Sequence, residues 1–272
     1  MQPKLGILAG GGELPRLLIE TCRRQARPFH VIALQGQADA VVVADAPHEW
    51  LRLGAVGSSF RTLRAAKVEE VVFAGKVARP TLAELRPDWH AARFLARIGG
   101  RLLSDNSLLE AILSEFEREG FRVVGPGDVL PSLLAERRLY GNVTPTAAEL
   151  EAAMLGLVAA RRHGLEDRGQ AAVVQGGEIL GLEGAEGTDG LIEICRPRQA
   201  GGRGAILVKA RKPQQQMRAD PPVIGVQTVQ RAAAAGFRGV AVEAAGVLVL
   251  DAPAVAAAAD SADMFVLGIE AP

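Results

Sequence analysis

Leu5-Gly6-Ile7-Leu8-Ala9-Gly10-Gly11-Gly12-Glu13-Leu14-Pro15 is the stretch that decides the fold of this chain. Five apolar or small residues without a polar break read as a buried strand, and the three glycines stop it. Pro15 suits the first turn of a helix, where its missing N–H is no loss, and Leu14, Leu17, Leu18 and Cys22 then fall on one helical face. Strand, glycine turn and helix make the first unit of a parallel α/β layer. Backbone N–H groups at such a turn, with the positive end of the helix dipole, can hold an anion. Gly11 and Gly12 are therefore candidate phosphate-binding positions, and a turn that merely needs glycine torsions is the competing reading.

The alternation continues outward. Phe29–Leu34 supplies a second strand, residues 59–66 a helix, and Val71-Val72-Phe73-Ala74 a strand that ends in Gly75-Lys76-Val77-Ala78-Arg79-Pro80. In a parallel sheet that loop faces the same crevice as the first glycines, which makes Gly75 and Lys76 a second candidate anion site. Helical patterns over residues 89–98 and 106–119 lead to a strand at Phe121–Val124. A dinucleotide fingerprint would need a third glycine where Pro15 stands and an acid after the second strand, where Gln35-Gly36-Gln37 follows instead. The pattern disfavours NAD and leaves a phosphate or nucleotide site open.

Residues 125–146 change character, with Gly125-Pro126-Gly127, Pro131 and Gly141 through Pro145, and read as a linker. The expected division is a Rossmann-like parallel-sheet domain over residues 1–130 and an α+β domain over 131–272. In the second half, Thr144 and Pro145 are expected to cap a helix reaching about His163, with Leu150, Met154, Leu157 and Val158 on its buried face. Gln175-Gly176-Gly177-Glu178 marks a hairpin between two apolar runs. Thr188 or Asp189 is expected to cap a further helix, and Gly239–Glu243 with Val247–Leu250 to form a second hairpin-like pair.

Lys209-Ala210-Arg211-Lys212-Pro213-Gln214-Gln215-Gln216-Met217-Arg218-Ala219-Asp220 follows an apolar strand over residues 205–208. It delivers four cations beyond that strand's end and a single carboxylate, Asp220. Pro221 behind it holds the backbone extended, so Asp220 is expected on a stiff, non-helical connection. A metal ligand or a catalytic group facing an anionic substrate fits that placement, and a charged surface loop is the plain alternative.

Composition excludes several classes. Lys+Arg and Asp+Glu are both 31, so no overall field draws nucleic acid or an anionic membrane. Two cysteines, Cys22 and Cys195, make no disulfide framework and read as reduced thiols in the cytoplasm. Leu5–Ala9 is too short for a signal-peptide core, and no later run approaches a membrane span. Four histidines without a metal-binding spacing argue against a dinuclear metallophosphoesterase. His90 and His163 read as solvated surface residues. There is no nucleophile elbow and no lysine-bearing phosphate loop. What remains is an inventory of glycines, lysines, amides and a few acids: Gly11, Gly12, Gly75, Lys76, Glu186, Thr188, Lys209, Lys212, Gln215, Arg218 and Asp220. It suits a phosphorylated, nucleotide-like ligand, in which Asp220 could hold Mg²⁺ or orient water against phosphorus.

Four blocks of these residues also carry a resemblance. Leu8 to Pro15, Phe73 to Pro80, Glu186 to Asp189 and Val208 to Gly225 resemble the LpxI family of UDP-2,3-diacylglucosamine pyrophosphatases, essentially from end to end. The resemblance implies two domains enclosing a lipid-linked nucleotide sugar, a homodimer, Mg²⁺ dependence, and hydrolysis to UMP and 2,3-diacylglucosamine 1-phosphate in lipid A synthesis. It implies a cytoplasmic protein with transient peripheral contact at the inner membrane. By position the family's essential aspartate falls on Asp220, while Gln216 and Met217 depart from the family's pattern. A nucleotide-sugar-binding regulatory module that does not hydrolyse its ligand is the reading from another class.

Overall fold

The computed structural model describes residues 2–78, 85–98 and 105–271, with the side chains of 105 and 106 excepted. Its packing divides the chain into two compact units. One holds Met1–Pro131 and Gln216–Asp220, and the other holds Ser132–Gln215 and Pro221–Pro272.

The first unit is built on five strands: β1 Leu5–Ala9, β2 Phe29–Leu34, β3 His48–Leu51, β4 Glu70–Ala74 and β5 Arg122–Val124. They pair in the order β3-β2-β1-β4-β5, every pair parallel. β1 is buried throughout, as a strand covered on both faces requires, which is why its sequence runs apolar rather than alternating. The helix Leu14–Arg24 starts with Pro15 in its first turn, as the sequence indicates. Phe60, Phe116 and Phe121 pack beneath the sheet, with the first two rings 4.9 Å apart edge to face. Chain order reverses between β1 and β4, so the carboxyl ends of these two strands flank the topological switch point where open α/β sheets bind ligands.

The second unit carries β6 Leu139–Tyr140, β7 Ala171–Gln175, β8 Glu178–Leu182, β9 Ile206–Lys209, β10 Val223–Ile224, β11 Gly239–Glu243, β12 Leu248–Val249 and β13 Phe265–Ile269. Six of them form one mixed sheet in the order β6-β13-β11-β9-β7-β8. β9, β11 and β13 are mutually parallel, and β6, β7 and β8 join antiparallel. The β7–β8 hairpin is the one read from its glycine turn. The second expected hairpin does not form. β11 lies between β9 and β13, while β12 pairs parallel with β10 in a separate two-stranded sheet. A strand buried at every position gains more from two parallel neighbours than from the next segment in sequence.

Two further expectations are corrected. The stretch read as a linker contains a short helix, Pro126–Val129, and β6. The helix Ala147–Leu165 is capped by Thr146, not by Thr144 and Pro145: the Thr146 hydroxyl accepts from Glu149 N at 3.2 Å, and Glu149 Oε2 accepts from Thr146 N at 2.7 Å. Its buried face is Ala152, Ala153, Gly156, Leu157 and Ala160, whereas Leu150 and Val158 are 42% and 49% exposed. The helix lies so close to the sheet that a Cβ at Gly156 would meet Val208 Cγ2 at 2.5 Å. Only small side chains fit there, so the long ones turn outward. No helix among the described residues is long and apolar enough to cross a membrane.

Candidate functional site

The glycine loop after β1 and the loop after β4 are joined by their backbones. Gly10 N donates to Ala74 O (2.8 Å), Gly11 N to Lys76 O (2.8 Å), and Lys76 N to Gly11 O (2.9 Å). A Cβ at Gly10 would lie 2.5 Å from Lys76 O, and one at Gly75 only 2.3 Å from Gly11 O. Gly75 also has φ +92°, where a side chain is strained. Glycine is thus required here first by the close approach of two loops. The amides of Gly10 and Gly11 are committed to that contact, which moves the anion-holding part of the expected cradle to Gly12 and the helix start. At Gly12, φ is +90° and no described atom lies within 4 Å of a Cβ position. Lys76 is exposed beside it. The Gln37 side chain from the loop after β2 ties the same structure down by accepting from Ala78 N at 2.9 Å. Arg79 and Pro80 of the quoted motif lie outside the described residues. Gly75→Ala is expected to lower stability by roughly 2–3 kcal/mol, because a positive-φ position and a backbone collision are combined. Urea unfolding measures it, and a loss under about 0.5 kcal/mol would contradict this packing.

The segment Gln216–Asp220 packs with the same unit at the carboxyl end of β5. A Cβ at Gly125, the residue after β5, would sit 3.4 Å from Met217 O and 3.5 Å from Arg218 Cα. Arg218 Nη1 donates to Glu117 Oε1 at 2.6 Å, and its Nε reaches Gln216 Oε1 at 3.3 Å. Ala219 rests on the apolar cluster that holds Leu8, Phe73 and Phe116. Asp220 N closes a turn onto Gln216 O at 2.9 Å, and its side chain is exposed. Asp220 thus stands on an irregular connection before Pro221, as the sequence indicates. By packing it counts with the first unit, although in chain order it lies far inside the second half. Glycine loop, Lys76 and Asp220 therefore share one edge of one parallel sheet.

Within the second unit, Lys209 ends β9 and is only 7% exposed. Its Nζ donates to Thr188 Oγ1 (3.0 Å) and to Val223 O (3.0 Å). The Thr188 hydroxyl donates to Glu183 Oε1 at 2.6 Å, and Gln170 N donates to Glu183 Oε2 at 2.7 Å. Lys212 and Gln215 are brought together, with Lys212 N donating to Gln215 Oε1 at 3.1 Å, while Lys212 Nζ pairs with Asp167 at 2.8 Å. Glu186 is the N-cap residue of the helix Gly187–Cys195 but makes no side-chain cap bond, and Thr188 and Asp189 lie inside the first turn rather than capping it. The Glu186 carboxylate accepts from Gly184 N at 2.8 Å. Bonds from its own backbone N–H and that of Gly184 hold its pKa below the usual range. His163 is not simply solvated: its Nε2 lies 2.7 Å from Glu183 O. Cys195 is buried, and burial pushes its thiol pKa up, the environment of a core thiol.

Glu183, Asp167, Glu117 and Glu243 are the supporting residues that sequence reasoning missed. Glu243 ends β11 in the core and accepts from Arg211 N (2.9 Å) and Arg161 Nη1 (3.3 Å), fixing the start of the cationic loop. Its signal was a lone acid closing an apolar strand, Val240-Ala241-Val242-Glu243.

Among the described residues no three His, Cys, Asp or Glu side chains are grouped to hold a metal ion. An all-protein cage is therefore not offered by these residues. The donors do fit a Mg²⁺ held by one carboxylate, Asp220, with substrate phosphate oxygens and water completing its shell, which is the usual way this ion is bound.

The comparisons with known proteins agree with this two-unit arrangement. The model of the LpxI N-terminal domain matches residues 4–133, and that of the LpxI C-terminal domain matches residues 136–267. A Caulobacter vibrioides protein named UDP-2,3-diacylglucosamine pyrophosphatase LpxI is 39% identical over 275 residues, covering 98% of each chain. Two solved structures from Aspergillus clavatus, a carboxyaminoimidazole ribonucleotide synthase and an N5-carboxyaminoimidazole synthase, are 17% and 15% identical. They cover 63% and 73% of this chain, which spans 37% and 44% of theirs, with TM-scores of 0.24 and 0.26, a likeness too distant to bear on function. With both halves matched in order and the similarity running from end to end, the chain belongs to the LpxI family.

Proposed function

We propose that this protein is a diphosphatase that hydrolyses UDP-2,3-diacylglucosamine to UMP and 2,3-diacylglucosamine 1-phosphate, with Mg²⁺ as cofactor. The observation that carries the reading is the shared carboxyl edge of the first sheet, where Gly12, Lys76 and the only acid of the cationic loop, Asp220, are collected. Similarity to the Caulobacter enzyme supports the choice of substrate.

In this reading Gly12 and Lys76 take the nucleotide phosphates, a helix start and a lysine being suited to spread negative charge. Arg218, in the same unit, offers a further donor to phosphate oxygens. Asp220 orients a water molecule and takes up its proton as the oxygen attacks the α-phosphorus. The bond from that phosphorus to the bridging oxygen breaks, and the sugar 1-phosphate leaves with the bridging oxygen. Bound Mg²⁺ would neutralise the charge of the diphosphate. Fixed cations around the diphosphate favour the transition state because they need no reorganisation as charge moves.

A homodimer in the cytoplasm, touching the inner membrane only to collect its lipid substrate, completes the proposal. Light scattering on the eluted protein measures the first of these directly. The reading as a whole is tested by supplying purified UDP-2,3-diacylglucosamine and Mg²⁺ without any acceptor. Release of UMP is the expected outcome. Tight binding without UMP would instead identify a binding module, and release only with an added acceptor would identify a transferase.

A further inference from the structure

We infer that the outer face of the helix Ala147–Leu165 binds the same face of a second copy of this chain, with the two helices antiparallel across a two-fold axis. This names a surface for the homodimer proposed above and is independent of the reaction assigned there. The helix lies wholly within the second unit.

The helix is apolar on both sides. Ala152, Ala153, Leu157 and Ala160 pack with Val174 and Val208 of the sheet. A helix that only lined a sheet would turn polar residues outward. Instead Leu155, Val158 and Leu165 are 36%, 49% and 64% exposed. Ala148, Glu151 and Arg162 are exposed with them. Positions 148, 151, 155, 158, 162 and 165 follow one another at alternating steps of three and four residues. That spacing puts them in one seam turned away from the sheet, and it is the spacing by which two helices pack lengthwise.

The order of residues along the seam selects the partner. A two-fold axis passing between Gly156 and Leu157 sets Leu155 opposite the second copy's Val158, Glu151 opposite its Arg162 and Ala148 opposite its Leu165. Symmetry makes each of these pairs twice. The seam is therefore complementary to itself, with apolar contacts at its centre and opposite charges toward both ends. Other charges of the helix are used within the chain, Glu149 by Arg238 and Arg161 by Glu243. Among the described residues Glu151 and Arg162 make no ion pair. Antiparallel packing also lays the positive amino end of each helix beside the carboxyl end of the other. A parallel pair would set Glu151 against Glu151 and Arg162 against Arg162. An anionic lipid surface would take the leucines but meet Glu151 with like charge.

The test is sedimentation of the full-length protein over a range of concentrations, with circular dichroism and Tm to show that each variant is folded. The parent is expected to be a dimer. Val158→Asp is expected to weaken it by about a hundredfold or more, because a charge is pressed on the second copy's Leu155. Glu151→Arg and Arg162→Glu each set like charges together twice and are each expected to weaken the dimer by about tenfold. The double variant, with the charges exchanged, is expected to dimerise within about threefold of the parent. Mixing the two single variants is expected to give a heterodimer, since every facing pair is then of opposite charge.

A parent that stays monomeric at every concentration overturns the inference. A dimeric parent with all these variants equally dimeric leaves the homodimer standing and places its interface elsewhere. Failure of the charge exchange and of the mixture, with Val158→Asp monomeric, overturns the antiparallel register. If Val158→Asp does not fold, the two charge variants and their mixture decide the matter alone. A monomeric parent that binds phosphatidylglycerol vesicles, and loses them in Val158→Asp, assigns the face to a lipid surface and overturns the inference. UMP release by the parent is measured separately, so the hydrolase reading stands or falls without reference to these outcomes.

Discussion

Asp220→Asn is expected to abolish nearly all turnover of UDP-2,3-diacylglucosamine while leaving the protein folded and able to bind it. The expected loss in kcat is roughly a thousandfold or more, equivalent to about 4 kcal/mol of barrier. The side chain is exposed and the segment is anchored elsewhere: Arg218 pairs with Glu117, Ala219 rests in the apolar cluster, and Asp220 N closes a turn onto Gln216 O. Replacing one carboxylate oxygen by an amide therefore touches charge and basicity, not packing. Kd is expected to stay within about threefold of the parent, so the change falls on kcat. Single-turnover kinetics and direct titration separate the two. Full activity of Asp220→Asn would remove Asp220 from the chemistry, and loss of binding in step with activity would make it a substrate anchor.

The largest effect on stability is expected far from the site, at Glu70→Ala. Glu70 opens β4 and is 4% exposed, and it pairs with Arg27, which is 8% exposed. Arg122 at the start of β5 is a second cationic partner on the other carboxylate oxygen. Burial pulls the Arg27 pKa down, so removing its carboxylate strands a charge that is already poorly solvated. Breaking a buried pair in this way costs about 3–5 kcal/mol. Trp50 and Trp89 are the chain's two tryptophans and both belong to the first unit, so fluorescence during urea unfolding reports on that unit. A shift worth less than about 1 kcal/mol would show that Arg27 finds water when Glu70 is gone. Because β4 delivers Gly75 and Lys76 at its far end, the same variant is expected to weaken binding on the nucleotide side.

How much of this could be read beforehand depends on the range of the interaction. β1, the glycine turn and the helix after it are local, and an unbroken apolar run, a glycine and a proline suffice to write them. The parallel order of the first sheet follows from repeated buried strands separated by helices. The pairing of β11 was misread because a parallel neighbour leaves no turn in the sequence, whereas the hairpin at Gly176-Gly177 does. The inner face of the helix Ala147–Leu165 was misread because Leu150 and Val158 look like core residues until Gly156 is seen against Val208. At the candidate site, Asp220 stood out as the one acid in a cationic stretch. Glu117 did not, since it acts through Arg218, a partner distant in sequence. The glycines at 10, 11 and 75 looked like a phosphate cradle. Part of their requirement is the backbone contact between two loops, a contact that no local pattern announces.

The proposed reaction is hydrolysis of the diphosphate by water attack at the α-phosphorus, assisted from the edge where Asp220 sits. Turnover of UDP-2,3-diacylglucosamine in ¹⁸O water, with mass spectrometry of both products, tests it most directly. One ¹⁸O atom in UMP and none in 2,3-diacylglucosamine 1-phosphate is the expected result. Label in the lipid phosphate, with unlabelled UMP, would contradict it.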